Sequence, residues 1–100
     1  MGVSKTRTSF YRRLYLAWLI NRGINNVPAI QAATGMPRRT AQDTLNAIHE
    51  LDIACVFEGA NKNGGYEIAD WGPINPAWLE ANAGRLAEVL EYPFPPTPTA

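Results

Sequence analysis

Residues 37–46 read Pro-Arg-Arg-Thr-Ala-Gln-Asp-Thr-Leu-Asn, and their polar members are spaced to share the outside of a helix. Ala41, Leu45, Ile48 and Leu51 recur at intervals of four and three, which is the stripe a helix turns toward a core. Arg39, Gln42, Asp43 and Asn46 then face outward, with Arg38 and Thr40 beside them near the helix start. Guanidinium groups can donate to phosphate or to the edge of guanine, and side-chain amides can pair with base edges. On a helix lying in a major groove, Arg38 and Arg39 would meet phosphate or guanine, Thr40 a phosphate, and Gln42 and Asn46 base edges. Asp43 belongs to the same face. It follows Arg39 by four residues, so the two can instead bond to each other along the helix.

The elements that must hold this face can be read outward from it. Thr34-Gly35-Met36 makes a corner, because glycine supplies left-handed backbone and Pro37 suits a first helical turn. Before the corner, Asn25 or Asn26 caps a short helix over 27–34 with Pro28 in its first turn. Earlier still, Ser9 is a reasonable N-cap for a first helix running to about Arg22, which Gly23 stops. The third helix is predicted over 37–51, closed by Asp52 in a left-handed conformation. Two β-type runs follow, 53–58 and 66–71, joined by a Gly- and Asn-rich connection over 59–65. The hairpin stands next to the polar helix as a wing. Its tip residues Asn61, Lys62 and Asn63 can touch a phosphate or a minor-groove edge, or can serve loop geometry alone. Asn75 and Pro76 then start a last helix that runs through about Glu91.

Length and charge bound the reading. One hundred residues at 46% hydrophobic content make a single domain, predicted over 1–91, with a Pro-rich flexible tail over 92–100. Net charge is zero, but residues 1–39 carry seven cations and no acid, and residues 40–100 carry two cations against nine acids. Either the molecule presents one positive face to an anionic partner, or folding mixes these charges into short-range pairs.

The first helix is apolar around most of its circumference, which a monomer of this size does not easily hide. A homodimer interface through Tyr11, Tyr15 and Trp18, with Trp78, Leu86 and Leu90 of the last helix, is therefore expected. The alternative is that the last helix covers this surface within one chain.

Several classes of function find no support. His49 is the only histidine and has no Cys partner at metal spacing, so no metal, cofactor or catalytic residue is expected, and the chain does not read as an enzyme. Ser4 and Ser9 lack a base, and Gly64-Gly65 precedes a strand rather than cradling a phosphate. Cys55 alternates with Ile53 and Phe57 and reads as a small buried apolar residue. Residues 1–6 fit an N-myristoylation pattern, but one acyl chain binds membranes only marginally and nothing else suggests a membrane. Without an 18-residue apolar run or a signal peptide, a cytoplasmic location is expected. No pattern identifies a small-molecule effector.

The segment Ala33-Thr34-Gly35-Met36-Pro37-Arg38-Arg39-Thr40, followed by Leu45, Ile48 and Leu51, resembles the winged helix-turn-helix family of prokaryotic transcription regulators. That resemblance implies a mainly α fold with a small β-hairpin: a three-helix core, a two-stranded wing and an extra C-terminal helix. It implies that residues 38–43 face the groove of double-stranded DNA, with the wing over 59–65 along its backbone. Two positions depart from the pattern, Gln31 where a small residue is usual and Ala41 where Val or Ile is usual. Ala41 could let the two helices pack closer. Two functions follow: a sequence-specific, dimeric DNA-binding regulator, or a winged-helix module for protein–protein assembly that does not bind DNA.

Overall fold

The computed structural model describes residues 4–59 and 64–96. The wing-tip residues Asn61, Lys62 and Asn63, residues 1–3 and the end of the tail, 97–100, lie outside the described residues. The elements run α1 (Lys5–Asn21), α2 (Val27–Thr34), α3 (Arg38–Ala47), a 3-10 turn (Ile48–Leu51), β1 (Ala54–Glu58), β2 (Gly65–Asp70) and α4 (Pro76–Leu90).

Helix α1 is the axis of the core. Its cap is Ser4, whose hydroxyl accepts from Arg7 N–H at 3.1 Å, and not Ser9, which sits half-buried inside the helix. Placing the start just before the first apolar residue overlooks a polar, largely exposed opening turn. From Leu14 to Ile20 every side chain is buried, because α4, α3, the 3-10 turn and β2 enclose the helix from different sides. Burial of each large apolar side chain there contributes roughly 1.5–3 kcal/mol.

The α2–α3 corner is tied by side chains as well as by glycine. Gly35 is left-handed at φ 78° and donates to the Gln31 carbonyl at 2.7 Å. The Thr34 hydroxyl donates to Ile30 O at 2.8 Å and accepts from Met36 N–H at 3.2 Å. Gln31 reaches forward to the Met36 carbonyl at 3.5 Å, so it braces the turn from a half-buried position. Ala41 is fully buried against the neighbouring helices. Pro37 is the N-cap of α3 rather than its first helical residue, and the helix is shorter than the predicted 37–51. Its end tightens into the 3-10 turn, where three residues per turn stack Ile48 over Leu51 so that both enter the core. Asp52, left-handed at φ 62°, closes it.

Strands β1 and β2 pair antiparallel, with Phe57 opposite Tyr66 and an irregularity between Ala54 and Cys55. Burial fades outward along one face, from buried Ile53 through half-buried Cys55 to exposed Phe57, as the hairpin leaves the body. Cys55 is thus only half-buried. The loop end of the hairpin is clamped to the α1–α2 connection: Tyr66 N–H donates to Asn25 O at 2.8 Å, and Asn25 Nδ2 donates back to Tyr66 O at 3.1 Å. Gly65 permits this approach, since a Cβ there would lie 2.6 Å from Asn25 Nδ2.

Asn75 caps α4, accepting from Ala77 N–H at 2.9 Å, and left-handed Glu91 ends it. Leu79, Ala83, Leu86 and Ala87 are buried in the core that α4 shares with α1. The chain beyond α4 does not leave the body at once. The Tyr92 ring lies 5.7 Å from Tyr15, and Phe94 stacks 5.9 Å from Trp18, so the expected flexible tail is packed over its first residues. This closure covers much of the expected dimer face within one chain. Tyr15, Trp18 and Leu86 are buried inside one chain, Tyr11 and Leu90 are half-buried, and only Trp78 remains open, at 41% exposure. Among the described residues no helix is long and apolar enough to cross a membrane.

Candidate nucleic-acid interface

The stripe of Ala41, Leu45, Ile48 and Leu51 is buried, which fixes the rotation of the polar helix. Arg38 and Arg39 stand on its exposed side near the N-terminus. Pro37 offers no side-chain cap, so the first-turn N–H groups of α3 face outward as the positive end of the helix. An anion can dock there on N–H donors and a guanidinium together.

The outward residues differ in how free they are. Arg38 takes part in none of the ion pairs among the described residues, whereas Arg39 Nε lies 3.9 Å from Asp43 Oδ2. The Arg39 side chain is 93% exposed, so that pair is worth little against solvent. Thr40 is half-buried beside them, and Asn46 is exposed while its carbonyl contacts His49 Nδ1 at 2.7 Å. Gln42 is not simply a free amide: its Nε2 lies 3.4 Å from Asn46 Oδ1 and 3.4 Å from the Tyr66 hydroxyl. A cleft of about 370 Å³ joins α2, α3 and the wing, lined among others by Asn26, Pro28, Arg38, Gln42, Phe57 and Tyr66.

The structure therefore brings Arg38, Arg39, Thr40, Gln42, Asp43 and Asn46 onto one surface. It adds Phe57 and Tyr66, which sequence reasoning assigned only to strands. Tyr66 could have been noticed as a polar aromatic residue directly after the wing connection. Asn25, read only as a possible cap, holds the wing in place, and Asn26 is the cap, accepting from Ala29 N–H at 2.8 Å.

The long-range charge sorting is partly dissolved by folding. Arg13 pairs with Glu50 at 3.6 Å and Arg22 with Glu80 at 3.3 Å, each joining the basic first part of the chain to its acidic remainder. Arg12 donates to the Tyr92 hydroxyl at 3.3 Å. Two cations of the basic first part are thereby offset, while Arg38 at the start of α3 takes part in none of these pairs.

Residues 5–90 match the family described as winged helix-turn helix. The chain belongs to the winged helix-turn-helix family. This winged helix-turn-helix domain is also similar to a crystal structure of a DUF2131 family protein from Shewanella amazonensis SB2B, at 34% sequence identity, 91% coverage of each chain and a TM-score of 0.84. No curated protein matches it. The family fold is a binding fold, built to present a helix and a wing rather than to assemble catalytic groups. Among the described residues no cluster of three His, Cys, Asp or Glu side chains could hold a metal. Burial pushes the Cys55 thiol above its ordinary range, which keeps it protonated and a poor nucleophile.

Proposed function

We propose that this winged helix-turn-helix domain is a sequence-specific DNA-binding transcription regulator. In this reading α3 enters the major groove, Arg38 and the open first turn of α3 hold phosphate, and Arg39, Gln42 and Asn46 address base edges. The observation that carries it is the exposed Arg38, in no ion pair among the described residues, at a helix start without a side-chain cap, beside a wing clamped by Asn25. The hairpin then runs along the backbone. Two copies bind together on half-sites about one helical turn, roughly 34 Å, apart. Because Tyr15, Trp18 and Leu86 are closed inside each chain, pairing is expected on DNA rather than in free solution.

Fluorescence anisotropy with duplex DNA tests the reading. With about three phosphates neutralised per copy, the slope of log affinity against log salt should be near −5 for two copies. Arg38→Ala should weaken binding by about tenfold, the scale of a charge-assisted hydrogen bond. Arg39→Ala should cost less, since Asp43 already sits beside that guanidinium. If neither substitution changes affinity at moderate salt, α3 is not the reader.

A second reading, an assembly module, is favoured by Phe10 and Trp78, exposed by 40% and 41% on the α1–α4 side. A mobility-shift series on random duplex fragments separates the two: no shift at micromolar protein in low salt favours assembly.

A further inference from the structure

Helix α1 has two working sides. Ser9, Arg12 and Arg13 line a shallow cleft with Asp43, Thr44 and Ala47 of α3. At about 100° per residue, Arg7, Phe10, Tyr11 and Leu14 fall on the other side, turned away from α3. Two adjoining clefts open there, of about 560 and 300 Å³, and both are walled by Phe10 and Trp78.

Their ends differ in chemistry. The larger cleft adds Ser4, Thr6, Arg7, Tyr11 and Arg85, and the smaller adds Leu14, Pro73, Ile74 and Asn75. The Arg85 guanidinium is held between two rings, 5.8 Å from the centre of Tyr11 and 5.8 Å from that of Trp78. Neither Arg7 nor Arg85 takes part in an ion pair among the described residues, and no carboxylate lines either cleft. The groove is therefore cationic at one end, aromatic in the middle and apolar at the other.

We infer that this groove docks an acidic peptide segment of a partner protein that carries an apolar anchor. The anchor packs on Phe10 and Trp78 against Pro73 and Ile74, and flanking carboxylates meet Arg7 and Arg85 as charge-assisted pairs. A second copy docked groove to groove fits less well: with like ends together four guanidinium groups meet, and with the groove reversed Arg7 and Arg85 face apolar Pro73 and Ile74 with no carboxylate to pair with. A single nucleic-acid strand fits less well, since it needs cations along its whole path and these stand at one end only. An open groove of this kind also buries too little of a small ligand to hold it tightly. The groove lies away from α3, so this inference stands independently of the DNA reading.

The test is a tryptophan-fluorescence titration of the full chain with the capped peptide Leu-Phe-Glu-Asp-Glu, its counterpart Leu-Phe-Lys-Lys-Lys, and a short oligothymidylate. The acidic peptide should saturate, bind at least about tenfold tighter than the basic one, and weaken with added salt. Arg7→Glu combined with Arg85→Glu should abolish the preference, and Trp78→Ala should weaken the peptide while sparing its charge dependence. Unchanged circular dichroism melting shows that these exposed substitutions leave the fold intact. Duplex DNA affinity should be the same in all three proteins. Equal affinity for both peptides, no effect of the double charge reversal, or tighter binding of oligothymidylate at this groove would each overturn the assignment. So would loss of duplex binding in the charge-reversed protein, which would make this face a nucleic-acid contact.

Discussion

Tyr15→Phe should make this domain more stable. The Tyr15 side chain is fully buried, and its hydroxyl has no hydrogen-bond partner among the described residues. A buried donor left unpaired costs about 1–3 kcal/mol relative to its hydrated state in the unfolded chain. Phenylalanine keeps the ring packing, 5.3 Å from Trp18 and 5.7 Å from Tyr92. It opens at most a hydroxyl-sized void of roughly 10 Å³, which at about 24 cal/mol per Å³ subtracts about 0.2 kcal/mol. The net expectation is a gain of about 1 kcal/mol, or a rise in Tm of about 4–8 °C for a domain of this size. Burial first, and the neighbouring Tyr92 phenol second, push the Tyr15 pKa from 10.0 up to about 12. A raised phenol pKa means that the unfolded chain releases its proton first. The contribution is complete below pH 10 and is lost as pH climbs through about 12. Urea melts of both proteins at neutral pH and across that alkaline interval measure both effects, and the wild type should lose the more stability in alkali. A lower Tm for Tyr15→Phe would refute the reasoning by showing that the hydroxyl is hydrogen-bonded.

Other substitutions probe the supports of the interface. Gly72→Ala should destabilise by about 2–4 kcal/mol in denaturant melts, because Gly72 is left-handed at φ 57° and a Cβ there would run into the Asp52 carbonyl. Asn26→Ala removes the cap of α2 and should cost about 1 kcal/mol in the same melts. Asp43→Asn frees Arg39 and removes a carboxylate from the ridge, so duplex affinity should rise a few-fold, more at low salt than at high.

Where the sequence was legible, a single local rule decided the structure. Gly35 had to be left-handed, Asn75-Pro76 had to open a helix, and the Ala41, Leu45, Ile48, Leu51 stripe had to face inward; each is so. Ser4 rather than Ser9 caps α1 because apolar periodicity marks only the packed part of a helix, and a solvated opening turn carries none. The aromatic surface of α1 looked too large to hide. Tyr92 and Phe94, read as part of a mobile tail, are among the groups that hide it, and no local pattern reports packing across so many intervening residues. The polar face of α3 was legible as a face, but the reach of Gln42 to Tyr66 and the clamp of Asn25 on the wing depend on tertiary placement. Charge sorting along the chain was real, yet Arg13 with Glu50 and Arg22 with Glu80 redistributed it on folding.

A backbone-amide NMR titration with random-sequence duplex at low salt shows whether α3 and the wing form one surface for duplex DNA. The largest shifts should fall on residues 38–46 and on the hairpin around Phe57 and Tyr66, with little change at Phe10, Trp78 and Arg85. Shifts gathered on the α1–α4 groove, or none at all while the protein stays folded, would contradict it.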